Sequence, residues 1–183
     1  MEATTANMKA TEPALGAGST VWQQLAAFTE TLLLAVWLGS MIFFSFAVAP
    51  SAFAVFPNDH ELAGRIVTSA IGKVEMLGLV IGPLLVLIQA VTWQTRRASN
   101  SVKTVQLVLI LIMTTAAALS RFWISAQMVS LRVSMIRIDD VPMTDPRRVE
   151  FNSLHGYSVV LMGAAMLAGL IVLFLTVRSW LKR

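Results

Sequence analysis

Residues 70–93 read AIGKVEMLGLVIGPLLVLIQAVTW. From Met76 onward the stretch carries no charge and is mostly Leu, Ile, Val, Gly and Met. A helix rises about 1.5 Å per residue and the hydrocarbon core of a bilayer is about 30 Å thick, so roughly 20 such residues span it. Three further uncharged runs, 31–58, 104–120 and 156–177, have the same character. The reading is an all-α chain, a four-helix transmembrane bundle with helices near 23–48, 70–93, 104–129 and 155–178. An even number of spans puts both termini on the same side. The ten-residue alternating segments of a membrane β-barrel are missing from the pattern.

Composition agrees. Hydrophobic residues make up 56% of the 183 and charged residues only 13%, with a mean hydropathy of +0.73. Globular chains average about 45–50% apolar and about 25% charged, so a water-soluble core is excluded. The basic pI near 10.1 does not point to nucleic acid, because the Lys and Arg residues flank the spans and form no stripe. Cysteine is absent, which rules out disulfides, thiolate chemistry and Cys-ligated zinc. Residues 1–21, MEATTANMKATEPALGAGSTV, are small and polar without the basic start and short apolar core of a signal peptide. They read as a disordered N-terminal tail ahead of a four-span membrane domain, 22–183.

Orientation follows from the basic residues. Lys9, Arg96, Arg97, Lys103, Arg178, Lys182 and Arg183 fall on the side of the termini, against Arg65, Arg132, Arg137, Arg147 and Arg148 opposite. The connection RRASNSVK is short and purely basic, so the termini are assigned to the cytoplasm of a bacterial-type inner membrane. Asn58 with Glu61 reads as a capping box, and Asp145-Pro146 as a helix start.

The opening stretch also holds two opposite charges, Lys73 and Glu75. Two residues on a helix are about 200° apart, so they cannot meet. Glu75 shares its face with Gly72, Gly78, Leu79, Gly82 and, two heptads on, Gln89. Small and polar residues mark the face where helices pack in lipid, so Glu75 turns inward and Lys73 outward. A charge at mid-bilayer costs on the order of 2.5–3.5 kcal/mol on insertion scales and calls for a partner. Arg121 sits at the same depth on the third helix, on a face with Thr114, Ala117, Ala118 and Ser125. The expectation is an intramembrane polar cluster of Glu75, Arg121, Ser125 and His155, in which a Glu75–Arg121 pair either locks the bundle or relays protons or ions. Glu30 and Gln89 form a second polar site near the terminal end. His155, His60 and Met162 are the candidate ligands for a heme or copper ion, although Met is also ordinary core filler.

Phosphate loops, Ser/His/Asp sets and zinc-protease motifs are missing from the sequence, and the loops are short except for about 25 residues between the last two helices. Three classes of function remain open. They are a non-enzymatic membrane or accessory-subunit protein, a small-solute or metal-ion transporter, and a heme- or quinone-associated redox protein. The partners expected are the lipid bilayer and either further copies of the chain or a membrane partner subunit.

The stretch WLGSMIFFSFAVAPSAFAVFPNDHELAGRIV, residues 37–67, resembles the first half of the transmembrane-protein-205-like family, domain of unknown function 4149. EFNSLHGYSVVLMGAAMLAGLIVL, residues 150–173, resembles its last helix. The positions that match are Trp37, Gly39, Pro50, Phe53, Ala63, Gly64 and His155. The resemblance implies a four-helix membrane fold and carries over no reaction or catalytic set.

Overall fold

A computed structural model describes residues 15–96 and 98–181. Residues 1–14, most of the expected tail, lie outside the described residues, and helix begins at Leu15. The elements are α1 (Leu15–Phe43), a π turn (Phe44–Val48), α2 (Ala49–Val55), α3 (His60–Thr92), α4 (Asn100–Leu119), a second π turn (Ser120–Ile124), α5 (Ser125–Met135), a short 3-10 turn (Ile138–Asp140) and α6 (Pro146–Leu181). The described residues contain no strand. Each π turn runs straight into the next helix, so four rods result: α1–α2, α3, α4–α5 and α6. All four are long and apolar enough to cross a membrane.

The rods are longer than the apolar runs. Helix persists beyond the hydrocarbon because the ends are capped and not because the sequence stays greasy. The Asp59 carboxylate accepts the Leu62 amide at 2.9 Å, one residue later than the Asn58 capping box expected. Ser99 accepts Val102 at 3.4 Å, and Asp145 accepts Arg147 at 2.9 Å at the start expected for the last helix. The connection between α5 and α6 therefore shrinks to residues 136–145, well short of the length anticipated. At 33 residues, α3 extends about 50 Å, more than the roughly 30 Å core, so its ends stand in the headgroup layers or the rod tilts.

Each rod packs on two neighbours, in the cyclic order α1, α3, α4, α6. The core between them is Leu34, Trp37, Leu38, Met41, Ile81, Leu85, Ile110, Met113, Ala165, Ala168 and Val172. Close approach is set by glycine on α3. A Cβ at Gly78 would lie 2.7 Å from the Trp37 indole nitrogen, and one at Gly82 only 2.1 Å from Thr114 Oγ1. Phe43, Phe46, Val80, Leu87, Phe122, Leu167 and Phe174 face outward, the surface a lipid environment accepts and water does not.

Candidate functional site

Glu75 lies on the inner face of α3, 4% exposed, while Lys73 is on the outside. Its Oε1 accepts the Ser120 hydroxyl at 2.5 Å and the Ser125 hydroxyl at 3.2 Å, and Ser125 also reaches Oε2 at 3.4 Å. Two serines five residues apart on a regular α-helix would diverge by about 140°. Here the Ser125 amide bonds the Ser120 carbonyl, an i to i+5 closure that stacks one serine over the other. The π turn is therefore what brings both hydroxyls to one carboxylate.

The same turn disposes of the neighbouring residues. Arg121 rotates with Ala126 to the outside, and both are exposed. Its Nη1 lies 3.6 Å from where a Gly72 Cβ would be, and it attracts the Glu75 carboxylate through the field. The salt bridges among the described residues within 4 Å are His60–Asp139, Arg96–Glu30, Arg132–Glu61, Arg137–Asp140 and Arg147–Asp145. Serines, then, occupy the direct contacts that the α-helical register offered to Arg121.

Glu75 lines a cavity of about 30 Å³ with Trp37, Met41, Met113, Ser158 and Met162 among its walls, room for one or two waters. Met162 receives the Ser45 hydroxyl on its sulfur at 3.2 Å, and Ser45 belongs to the first π turn. That turn has a covalent cause. Pro50 lacks the N–H that the Phe46 carbonyl would need, and the Ala49 amide bonds Phe44 instead. His155 stands on the exposed side of α6. His60 is exposed and its Nδ1 lies 3.3 Å from Asp139 Oδ1, with the Phe53 ring 6.3 Å away. No three His, Cys, Asp or Glu side chains converge as a metal site among the described residues.

The other half of the bundle holds a second polar centre at the end where α1 begins and α6 finishes. Glu30, fully buried, pairs with Arg96. Arg96 also donates from Nε to Thr92 Oγ1 at 3.1 Å and from Nη1 to Gln106 Oε1 at 3.3 Å. Gln106 in turn donates to Thr176 at 2.9 Å, and Thr176 donates to Glu30 at 3.4 Å. All four rods are tied by this ring. Burial pulls the Arg96 guanidinium down to about 10, still far enough above neutrality to keep it charged. Lys103, also buried, donates to the Trp93 carbonyl at 2.6 Å and sits 5.7 Å over its ring. Gln89 is 1% exposed, and both of its amide atoms are buried with no hydrogen-bond partner.

Sequence reasoning missed Ser120, Ser158, Gln106 and Thr176. Gln106 and Thr176 did carry a signal, as isolated polar residues inside uncharged runs. Ser120 carried none, because its inward aim depends on the π turn.

The fold and these two buried centres define an integral membrane protein, a four-helix bundle in contact with lipid. More particularly, the chain belongs to the family described as domain of unknown function DUF4149, whose sequence profile matches residues 32–137. The matched part includes Glu75, Ser120, Arg121 and Ser125. It stops before α6, so the resemblance drawn over 150–173 lies beyond it. Neither a curated relative nor a solved structure matches the chain.

Proposed function

We propose that the chain is a non-enzymatic membrane protein that takes up and releases a proton at Glu75. It works as a small-solute or ion transporter or as the accessory subunit of one. The observation that supports this reading is the setting of Glu75. Its hydrogen-bond partners are hydroxyls, its cavity has room for water, and no ion pair within 4 Å reaches it among the described residues. A carboxyl held by neutral donors can change its protonation without breaking an ion pair, and intramembrane ionisable groups mark transport paths. π turns recur at functional sites, and both of those among the described residues supply a hydroxyl near the cavity.

Finer parts of the reading rest on the sequence. The basic residues support cytoplasmic termini in a bacterial-type inner membrane, and the 37–67 motif supports the transmembrane-protein-205-like branch. Gly39, Gly156 and Gly163, with open space where a Cβ would stand, suit a second copy or a partner helix.

The test is carbodiimide labelling, which requires a neutral carboxyl in apolar surroundings. Purified protein in detergent should form one adduct, mapped to Glu75 by peptide mass spectrometry and lost in Glu75→Gln. Glu30, held by Arg96, should stay unlabelled. In liposomes, proton flux reported by an internal pH dye should fall to background in the same variant. An unlabelled Glu75 together with unchanged flux in Glu75→Gln would end the reading.

A further inference from the structure

At the end of the bundle opposite the Glu30 ring, a crevice of about 380 Å³ opens between the first turns of α3 and the end of α5. Its walls carry both signs of charge. Asp59, the cap of α3, and Glu61 and Arg65 in its first turns line one wall, and Arg132 and Arg137 face them. Its rim is apolar: Leu62, Val133 and Ile136 are 40%, 74% and 88% exposed. Bare Val and Ile beside guanidinium groups make a poor water-facing surface. They suit the depth where acyl chains give way to headgroups.

Two polar atoms buried in the crevice wall lack hydrogen-bond partners. Arg132 Nε and Glu61 Oε2 are buried without a hydrogen bond, and Nε stands 4.0 Å from Glu61 Oε1. Buried charged atoms without partners are uncommon and ask for an absent ligand or water. The Arg132 guanidinium is held in place from other directions. Its Nη1 donates to Thr68 at 3.4 Å, its plane lies 5.4 Å over the Phe151 ring, and Nη2 fills the space that a Gly64 Cβ would take. Arg65 and Arg132 also repel one another across the gap. Ile136 adopts φ 60°, ψ −60°, a strained conformation for a β-branched residue. Such strain collects at ligand clamps, and here it reverses the chain so that Arg137 follows at the crevice.

We propose that this crevice binds a phospholipid headgroup that carries both a phosphate and a primary ammonium, the phosphatidylethanolamine type. The phosphate lies between Arg65, Arg132 and Arg137, where it relieves their mutual repulsion with charge-assisted hydrogen bonds. The ammonium donates to the Glu61 and Asp59 carboxylates, and the glycerol and first methylenes rest on Leu62, Val133 and Ile136. A purely anionic headgroup would meet Asp59 and Glu61 unfavourably. A choline headgroup has no N–H to give Glu61.

The experiment is native mass spectrometry of the full chain in detergent, titrated with dioleoyl lipids of ethanolamine, choline and glycerol headgroup. The ethanolamine lipid should bind about tenfold more tightly than either of the others. Glu61→Gln should reduce it to the choline level, and Arg65→Gln with Arg137→Gln should weaken all three together. Water-soluble glycerophosphoethanolamine should fail to compete at equal concentration; full competition would mean a soluble ligand and would overturn the lipid assignment. Equal affinities for the three lipids, or preference for the glycerol headgroup, would overturn the proposal outright. The lipid comparison on the unaltered chain stands whether or not the variants fold.

Discussion

Glu30 and Glu75 are both buried in the bundle, on packed neighbouring rods and in opposite halves, yet they are held in opposite ways. Glu30 meets a guanidinium, and that guanidinium is bonded on through Thr92 and Gln106. Glu75 meets two serine hydroxyls and a cavity. The first arrangement fixes a charge and ties four rods together. The second leaves a carboxyl that can change state while its neighbours stay in place. A bilayer protein can thus fasten one buried acid with a cation and hold another with hydroxyls alone, and the difference lies in what stands opposite each.

Breaking the fastening should have the largest effect. Glu30→Gln leaves Arg96 buried without its anion, and removing one partner of a buried pair costs about 3–5 kcal/mol. Thermal unfolding in detergent should show the steepest fall for this variant. Replacing both partners, Glu30→Leu with Arg96→Met, should recover most of the loss. Glu75→Gln should move the midpoint far less, since an amide can still accept from Ser120.

The seam between the two centres comes next. Gly82→Ala drives a methyl into Thr114, an overpacking worth about 1–3 kcal/mol, and the double change with Thr114→Ala should be milder. In dispersed single chains Gly39→Ala and Gly163→Ala, with nothing in the way, should raise the midpoint slightly, by the up to about 1 kcal/mol that Ala gains over Gly in a helix.

Smaller effects separate the two serines. Ser120→Ala removes the shorter hydroxyl bond to Glu75 and should cost roughly 1–3 kcal/mol, the range for leaving a buried polar group short of a partner. Ser125→Ala should cost less, because its contacts are longer. Equal effects would mean that the π turn does not present the two hydroxyls as described.

The smallest effect lies at the surface. Hydrogen bonds from Arg147 hold the Asp145 carboxyl down at about 2, below its ordinary 3.8. A depressed carboxylate contributes stability that is complete above its ordinary value and fades as pH falls through about 2. The protection factors of amides in the first turn of α6, corrected for intrinsic exchange, should therefore hold down to about pH 4 and fall below it. In Asp145→Asn that pH dependence should vanish.

Much of this was legible in the order of residues. Uncharged runs of spanning length marked the four rods, and the glycines around Glu75 marked the packing face of α3. Asp145-Pro146 marked where α6 starts. The caps and the α5–α6 connection were less legible, because a helix end is set by which side chain reaches an amide, and Asp59 reached where Asn58 was expected. The polar contacts were least legible. Face assignments assumed 3.6 residues per turn throughout, and Ser120–Ile124 departs from it with no Pro or Gly to announce the change. Only the first π turn left a mark, in Pro50.

What the sequence determined by itself is the medium. So much apolar length with so few charges can be buried only in lipid, and lipid admits only helices or closed barrels, so uncharged runs of about 20 residues without strand alternation fix four helical rods. Which buried acid received a cation and which received hydroxyls was decided by tertiary structure. That choice depends on one extra residue in a helical turn and on where a facing rod crosses, and neither is written in local propensity.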